Sequence, residues 1–134
     1  MEKKDSKILA LQNKKIPPQA IDFEEGVLGA LMIDKNATAT AIEILSPEYF
    51  YKEKHQEIFQ VLLELFNDAE PIDLLTVSDK LRKNGKLKMC GGEVYLAELT
   101  QKVISSAHIE NHARIILQKF IQRKLISISS NLIS

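Results

Sequence analysis

The sequence predicts an all-α protein: a compact helical head of about five helices followed by one long C-terminal helix. Three observations carry this. Ile58, Phe59, Leu62, Leu63 and Phe66, together with His55, recur at three- and four-residue spacing between Glu53 and Asn67, the clearest amphipathic stripe in the chain. The same period runs on through Ile109, Ala113, Ile116, Leu117, Phe120, Ile121, Leu125, Ile128 and Leu132. Strand-like alternation occurs over Leu125 to Ser129, and there it continues the helical period.

Met1 to Lys15 is Lys-rich, lacks a sustained period and reads as a flexible tail, with a nucleic-acid-binding arm as the alternative. Pro17 and Pro18 stiffen the entry to the first helix, which starts after them. Asp22, Glu24 and Glu25 crowd its first turns, where the helix dipole favours negative charge. Ile21, Leu28, Leu31 and Met32 share an apolar face, with Gly26, Gly29 and Ala30 beside it. Two glycines inside a helix cost about 1 kcal/mol each relative to alanine. Close approach of neighbouring helices would offset that cost and make this the central helix; an ordinary amphipathic helix with two tolerated glycines is the alternative.

Asp34-Lys35-Asn36 forms a turn, and Asn36 is the expected cap of a second helix, Ala37 to Leu45, that buries Ala41, Ile42 and Leu45. Ser46-Pro47-Glu48 supplies cap, first residue and acidic turn of a short element presenting Tyr49, Phe50 and Tyr51. The third helix spans Glu53 to Asn67, and a loop follows to Pro71. Thr76-Val77-Ser78-Asp79 resembles a capping box for a helix ending at Lys83, burying Val77 and Leu81; Asp73 is the competing cap one turn earlier. Asn84-Gly85 stops that helix, with Leu87 placed for the accompanying apolar contact. Lys86 to Gly92 is irregular, with a turn at Gly91-Gly92. Val94 to Gln101 follows as a short helix with Tyr95, Leu96 and Leu99 inward. Ser105 or Ser106 caps the last element. Ile115 and Ile126 widen its stripe beyond what a surface helix needs, so part of it is expected to meet another helix outside the head. It reaches Ser134 uncapped, as the start of a longer protein would. The expected organisation is a tail over 1–15, a head over 16–104 and the final helix over 105–134.

Composition narrows the function. The 134 residues suffice for one domain with a real core. Eighteen Lys and Arg balance eighteen Asp and Glu, unlike a strongly basic nucleic-acid binder. No apolar run reaches the roughly 18 residues of a membrane span, and the N-terminus lacks a secretory h-region. One cysteine, Cys90, excludes an internal disulfide and fits a reducing, cytoplasmic setting.

Catalytic constellations are hard to find. The phosphate-cradling loop G-x-x-x-x-G-K-[S/T] is absent: Gly85-Lys86 precedes Leu87, and position 80 is Lys80. This chain is therefore expected to hold no nucleotide cofactor. His108 and His112 have the four-residue spacing of a shared metal, with Glu110 between them and no third ligand in sight. Polar residues at a helix start are the plainer reading. His55 lies on an apolar stripe and reads as a hydrogen-bonded packing residue. Cys90 has no identifiable base partner. The carboxylates read as solvated, as does the basic run Lys119, Arg123, Lys124.

From the residues alone the reading is an all-helical interaction module. The chain also resembles the N-terminal domain of bacterial replicative DNA helicases of the DnaB type, from Ile16 to Ser134. The motifs occur in family order: Ile16-Pro17-Pro18 with Ile21 and Glu24; Val27-Leu28-Gly29-Ala30-Leu31; Phe50-Tyr51 with His55 and Ile58-Phe59; Pro71-Ile72-Asp73 with Thr76-Val77; Gly91-Gly92 with Tyr95-Leu96 and Leu99; Ala113 with Ile115-Ile116; Arg123 with Leu125-Ile126. Two positions depart from the pattern. Phe23 replaces a small residue, so packing around the first helix is expected to differ, and His112 replaces a tyrosine.

The resemblance implies a helical head whose last helix is the first arm of a helical hairpin. Hairpins pair between subunits into a collar on a homohexamer, and a lone fragment would be a monomer or weak dimer. The collar docks primase, with a helicase loader as a further candidate partner. ATP with Mg, and DNA, belong to a C-terminal RecA-like domain outside this chain. The expected oligomer or partner interface is Ile116, Phe120, Arg123, Leu125 and Ile128, by apolar anchoring. The rival readings are a stand-alone helical protein- or DNA-binding module without catalysis, and a small metalloenzyme built on His108 and His112.

Overall fold

Residues 16–20 are non-helical, and helix α1 (Ile21–Ile33) starts directly after them, its first bond running from Glu24 N to Ala20 O at 3.0 Å. The computed structural model describes residues 16–102 and 106–133; the tail over 1–15, Ser105 as a candidate cap and the side chain of Leu132 lie outside what it describes. Gly26 to Met32 are buried without a break, so α1 is enclosed on all sides. It packs against α2 (Lys35–Ile44), α3 (Glu53–Asn67), α5 (Gly92–Gln101) and α6 (Ile109–Ile133), the arrangement its small residues led us to expect. Between them sit α4 (Leu74–Lys83) and two 3-10 turns, Pro47–Tyr49 and Ser106–His108.

Several helix starts move from where the sequence placed them. Asp34, not Asn36, caps α2: its carboxylate accepts from Asn36 N at 2.9 Å. One extended residue is thus enough to turn α1 into α2, and the helix gains its first residues at Lys35 and Asn36. Thr38 is buried there and donates to Leu31 O at 2.9 Å, which satisfies its hydroxyl inside the core. Ser46 occupies the cap of the Pro47 turn without a side-chain cap bond. For α4 the earlier of the two candidate starts is the real one. Asp73 Oδ1 accepts from Thr76 N at 2.8 Å while Asp73 N donates to Thr76 Oγ1 at 2.9 Å, so Thr76 closes the box that it was read as opening. Helix α5 begins at Gly92, two residues before Val94. Gly91 and Gly92 both have positive φ, 94° and 74°, and a Cβ on Gly91 would lie 2.7 Å from that of Tyr95.

Two helices end in the same device. After α4, Lys86 N bonds to Leu81 O at 2.9 Å and Gly85 N to Arg82 O at 3.0 Å, with Gly85 at φ 72°. After α3, Glu70 N bonds to Leu65 O and Ala69 N to Phe66 O, but the left-handed residue is Ala69, at φ 54°.

The core is one cluster. Leu28, Ile58, Phe59, Leu62, Leu81, Leu96 and Leu99 form its centre, and Ile109, Ala113 and Ile116 of α6 complete it. The core thus takes in residues of α6 as far as Ile116. Phe23 of α1 and His112 of α6 meet: their rings lie edge to face, 5.2 Å apart.

Left-handed alanine costs about 1–2 kcal/mol that glycine avoids. Ala69→Gly should therefore stabilise the domain by about 0.5–1 kcal/mol, against the glycine's extra freedom when unfolded, and raise Tm by several degrees in a thermal melt.

Candidate functional site

Glu24 falls on the Leu28–Leu31 face of α1 and is carried into the core, 1 % exposed. A bare carboxylate there would be prohibitive, so its partners define the site. Oε2 accepts from Tyr51 N at 2.7 Å and Oε1 from Lys52 N at 3.4 Å. Oε1 also lies 2.7 Å from Nδ1 of His55, which is fully buried. The other ring nitrogen of His55 lies 2.6 Å from the Tyr95 hydroxyl. That hydroxyl reaches Glu25 Oε2 at 3.1 Å, and Lys102 Nζ closes on the same oxygen at 3.1 Å. One polar chain thus joins α1, the 51–52 segment, α3 and α5. The acidic first turn does not simply face solvent to complement the dipole, as its composition suggested: Glu24 and Glu25 point into this chain and Asp22 alone of the three is exposed.

Electrostatics follow from these contacts. Burial and the Glu25 carboxylate push the Tyr95 phenol upward, so it stays a protonated donor. Burial opposes the charge on Glu25, but hydrogen bonds from Lys102 and Tyr95, with the Lys102 charge, hold its carboxyl below the ordinary value. Lys54 Nζ sits 3.9 Å from the Tyr95 ring centroid and covers it. His55, read as a hydrogen-bonded packing residue, has that surrounding. The arrangement is enclosed by protein, so what it can do is hold three elements and a turn in register.

The 49–52 segment is gripped from a second side. Arg123 on α6 donates to Tyr49 O at 2.8 Å and to Pro18 O at 2.9 Å, and Gln56 Nε2 donates to Phe50 O at 2.8 Å. Phe120 stacks on Tyr49 with centroids 4.5 Å apart. Burial lowers the Arg123 guanidinium's pKa, and the Glu24 charge opposes that. Arg123 is therefore half-buried against the head and turned toward it, not part of a solvated basic face.

The structure divides the residues expected at an interface. Ile116 lies in the head's own core, 1 % exposed, and Phe120 and Arg123 are engaged with the 49–51 segment. Leu125 and Ile128 are 61 % and 55 % exposed, beside Ile121 at 48 % and Ile126 at 53 %. What read as one wide stripe is two: 109, 113, 116, 120 and 123 face the head, and 121, 125 and 128 face away from it.

The other candidates lie elsewhere. Cys90 is buried, and desolvation with the Glu57 carboxylate pushes its thiol up to about 11, with Lys54 and Lys86 opposing. The His108 and His112 rings are 6.2 Å apart, and among the described residues no group of three or more His, Cys, Asp or Glu could hold a metal. None of the helices described is long and apolar enough to cross a membrane.

The geometry defines an all-helical domain whose last helix carries an uncovered apolar face. Residues 16–118 match the family described as the DnaB-like helicase N terminal domain, and the chain belongs to that family. It is 46 % identical over 114 residues to the replicative DNA helicase DnaB of Rhodothermus marinus, which covers 85 % of this chain and 12 % of that protein. It is 41 % identical over 122 residues to the DnaB of Geobacillus stearothermophilus, covering 91 % of this chain and 27 % of that one. The chain thus spans only a small part of these relatives. Among solved structures, the N-terminal domain of DnaB helicase from Mycobacterium tuberculosis superposes with a TM-score of 0.86 at 33 % identity, over 88 % of this chain and 86 % of that one. The corresponding domain from Helicobacter pylori, described with its interactions with primase, gives 0.71 at 23 % identity over 83 % and 86 %, a likeness of fold alone.

Removing one partner of a buried side-chain hydrogen bond leaves the other unsatisfied, at about 1–3 kcal/mol and more for a charged group. Glu24→Ala should lose about that much in urea unfolding, and adding His55→Ala should cost far less than His55→Ala does alone, because the stranded partner is gone. With its thiol near 11, Cys90 is about one part in a thousand thiolate at pH 8. Folded protein should resist a disulfide-exchange reagent there, react about tenfold faster per pH unit toward 11, and label at once on unfolding.

Proposed function

We propose that this domain serves subunit assembly and primase docking in a hexameric replicative helicase that unwinds duplex DNA at the replication fork. ATP, Mg and DNA would be handled by the ATPase portion of such a protein. The observation that carries the reading is the apolar surface of Ile121, Leu125 and Ile128, each about half exposed or more, on a helix whose first half is already seated in the core. Four large apolar side chains within eight residues are more than isolated surface residues explain. A second copy of the chain is the occupant proposed for this face, helix against helix, as in a collar of paired hairpins. Family membership and the small share of the relatives that the chain spans support placing it as one domain of a larger assembly. The primase role is supported by that membership and by the partner described for the H. pylori domain.

Leu125 and Ile128 report on assembly more cleanly than Phe120, whose loss would also disturb Tyr49. Leu125→Asp with Ile128→Asp, made in the full reading frame, should leave the melting of the head within about 0.5 kcal/mol of the parent, as exposed sites do. Sedimentation should show the ring dissociating to smaller species. A hexamer unchanged at the same concentration would sink the reading.

A further inference from the structure

Arg123 stands where α6 leaves the head. Ile116 is enclosed, whereas every residue from Lys124 to Asn131 is exposed. Alongside the intervening turns, an open pocket of about 420 Å³ lies between residues 19–23 and the half-buried Ile115 and Lys119, so that flank of the rod is only partly packed. What grips the rod there is the Phe120–Tyr49 stack and the two hydrogen bonds of Arg123. Those bonds reach carbonyls from two segments that are far apart in sequence, Pro18 and Tyr49, while the Tyr51 and Phe120 ring centroids lie 5.4 and 5.8 Å from the guanidinium. A planar fork serves the two carbonyls from two nitrogens held in a fixed geometry; a lysine ammonium must reach both from one nitrogen on a flexible stem.

We infer that Arg123 is a positioning residue: it fixes the direction in which the outer half of α6 leaves the head, and with it the orientation of the Ile121, Leu125 and Ile128 face. The orientation matters for assembly only if the preceding reading of that face holds, but the direction of the rod can be measured without it. A rod seated only as far as Ile116 is a lever. At about 1.5 Å per residue its end at Ile133 lies about 25 Å away, so a 10° tilt moves it by about 4 Å. Ile109, Ala113 and Ile116 already seat the helix over two turns; Arg123 lengthens the supported part by seven residues and so narrows the range of tilt left to the outer half.

The test is a distance measurement between nitroxides on the chain carrying Asp68→Cys and Ser129→Cys, both exposed positions, diluted with unlabelled protein; the native Cys90 is buried. With Arg123 present the distribution should be single and narrow. Arg123→Met keeps the stem and removes both donors, and should broaden the distribution and shift its mean by several ångströms. Arg123→Lys should fall between the two. Circular dichroism and melting of the same samples check that the head is folded. If Arg123→Met does not fold, Arg123→Lys decides alone by whether its distribution broadens. A folded variant whose distribution overlays that of the parent, with only Tm lowered, would make Arg123 a structural tie and overturn the inference. Failure of the assembly reading would register instead in sedimentation of the Leu125 and Ile128 variants and would leave this distance unchanged.

Discussion

A carboxylate at the centre of an apolar core must be answered by donors, and Glu24 is answered by three. That requirement organises the head. It fixes α3 relative to α1 through His55, and it ties the 51–52 segment to the core by its backbone amides. Tyr95 extends the tie to α5, where Gly91 gives the backbone its close approach to that ring. A core of leucine and isoleucine sets how much surface is buried but leaves helices free to slide; directional bonds from one buried group restrict them to one register.

The same 49–52 segment faces two ways. On one side it donates to Glu24; on the other its Tyr49 carbonyl and ring receive Arg123 and Phe120 of α6. The head's interior and the helix that carries the uncovered apolar face are therefore linked through four residues of chain. Burial of α6 stops where these contacts stop, and its further apolar residues, Leu125, Ile126 and Ile128, are exposed. This change lets one continuous helix serve first as core and then as a surface for something else.

The helices themselves were legible in the sequence because their stripes are long and regular; α3 lies where its apolar spacing put it, from Glu53 to Asn67. Helix starts were legible to within a turn. The misplaced ones, Asn36 for Asp34 and Thr76 for Asp73, share a cause: both members of each pair can cap, and backbone geometry decides between them. The site was less legible. Composition assigns carboxylates to solvent, but Glu24 at the spacing of Leu28 and Leu31 was the signal that it turns inward, and Arg123 at the spacing of Ile116 and Phe120 was the equivalent signal on α6. A charged residue on an apolar stripe is informative when read by its position instead of its type. The partners that satisfy it lie 27 to 105 residues away and cannot be read from local pattern.

The claim beneath all of this is that the buried carboxylate ties the backbone of the 51–52 segment to the core. Residue-resolved hydrogen exchange tests it at one amide. Tyr51 N, although in a connection between helices, should exchange as slowly as the central amides of α3 and only through global unfolding. Exchange of that amide at the rate of an open surface loop, while α3 stays protected, would contradict it.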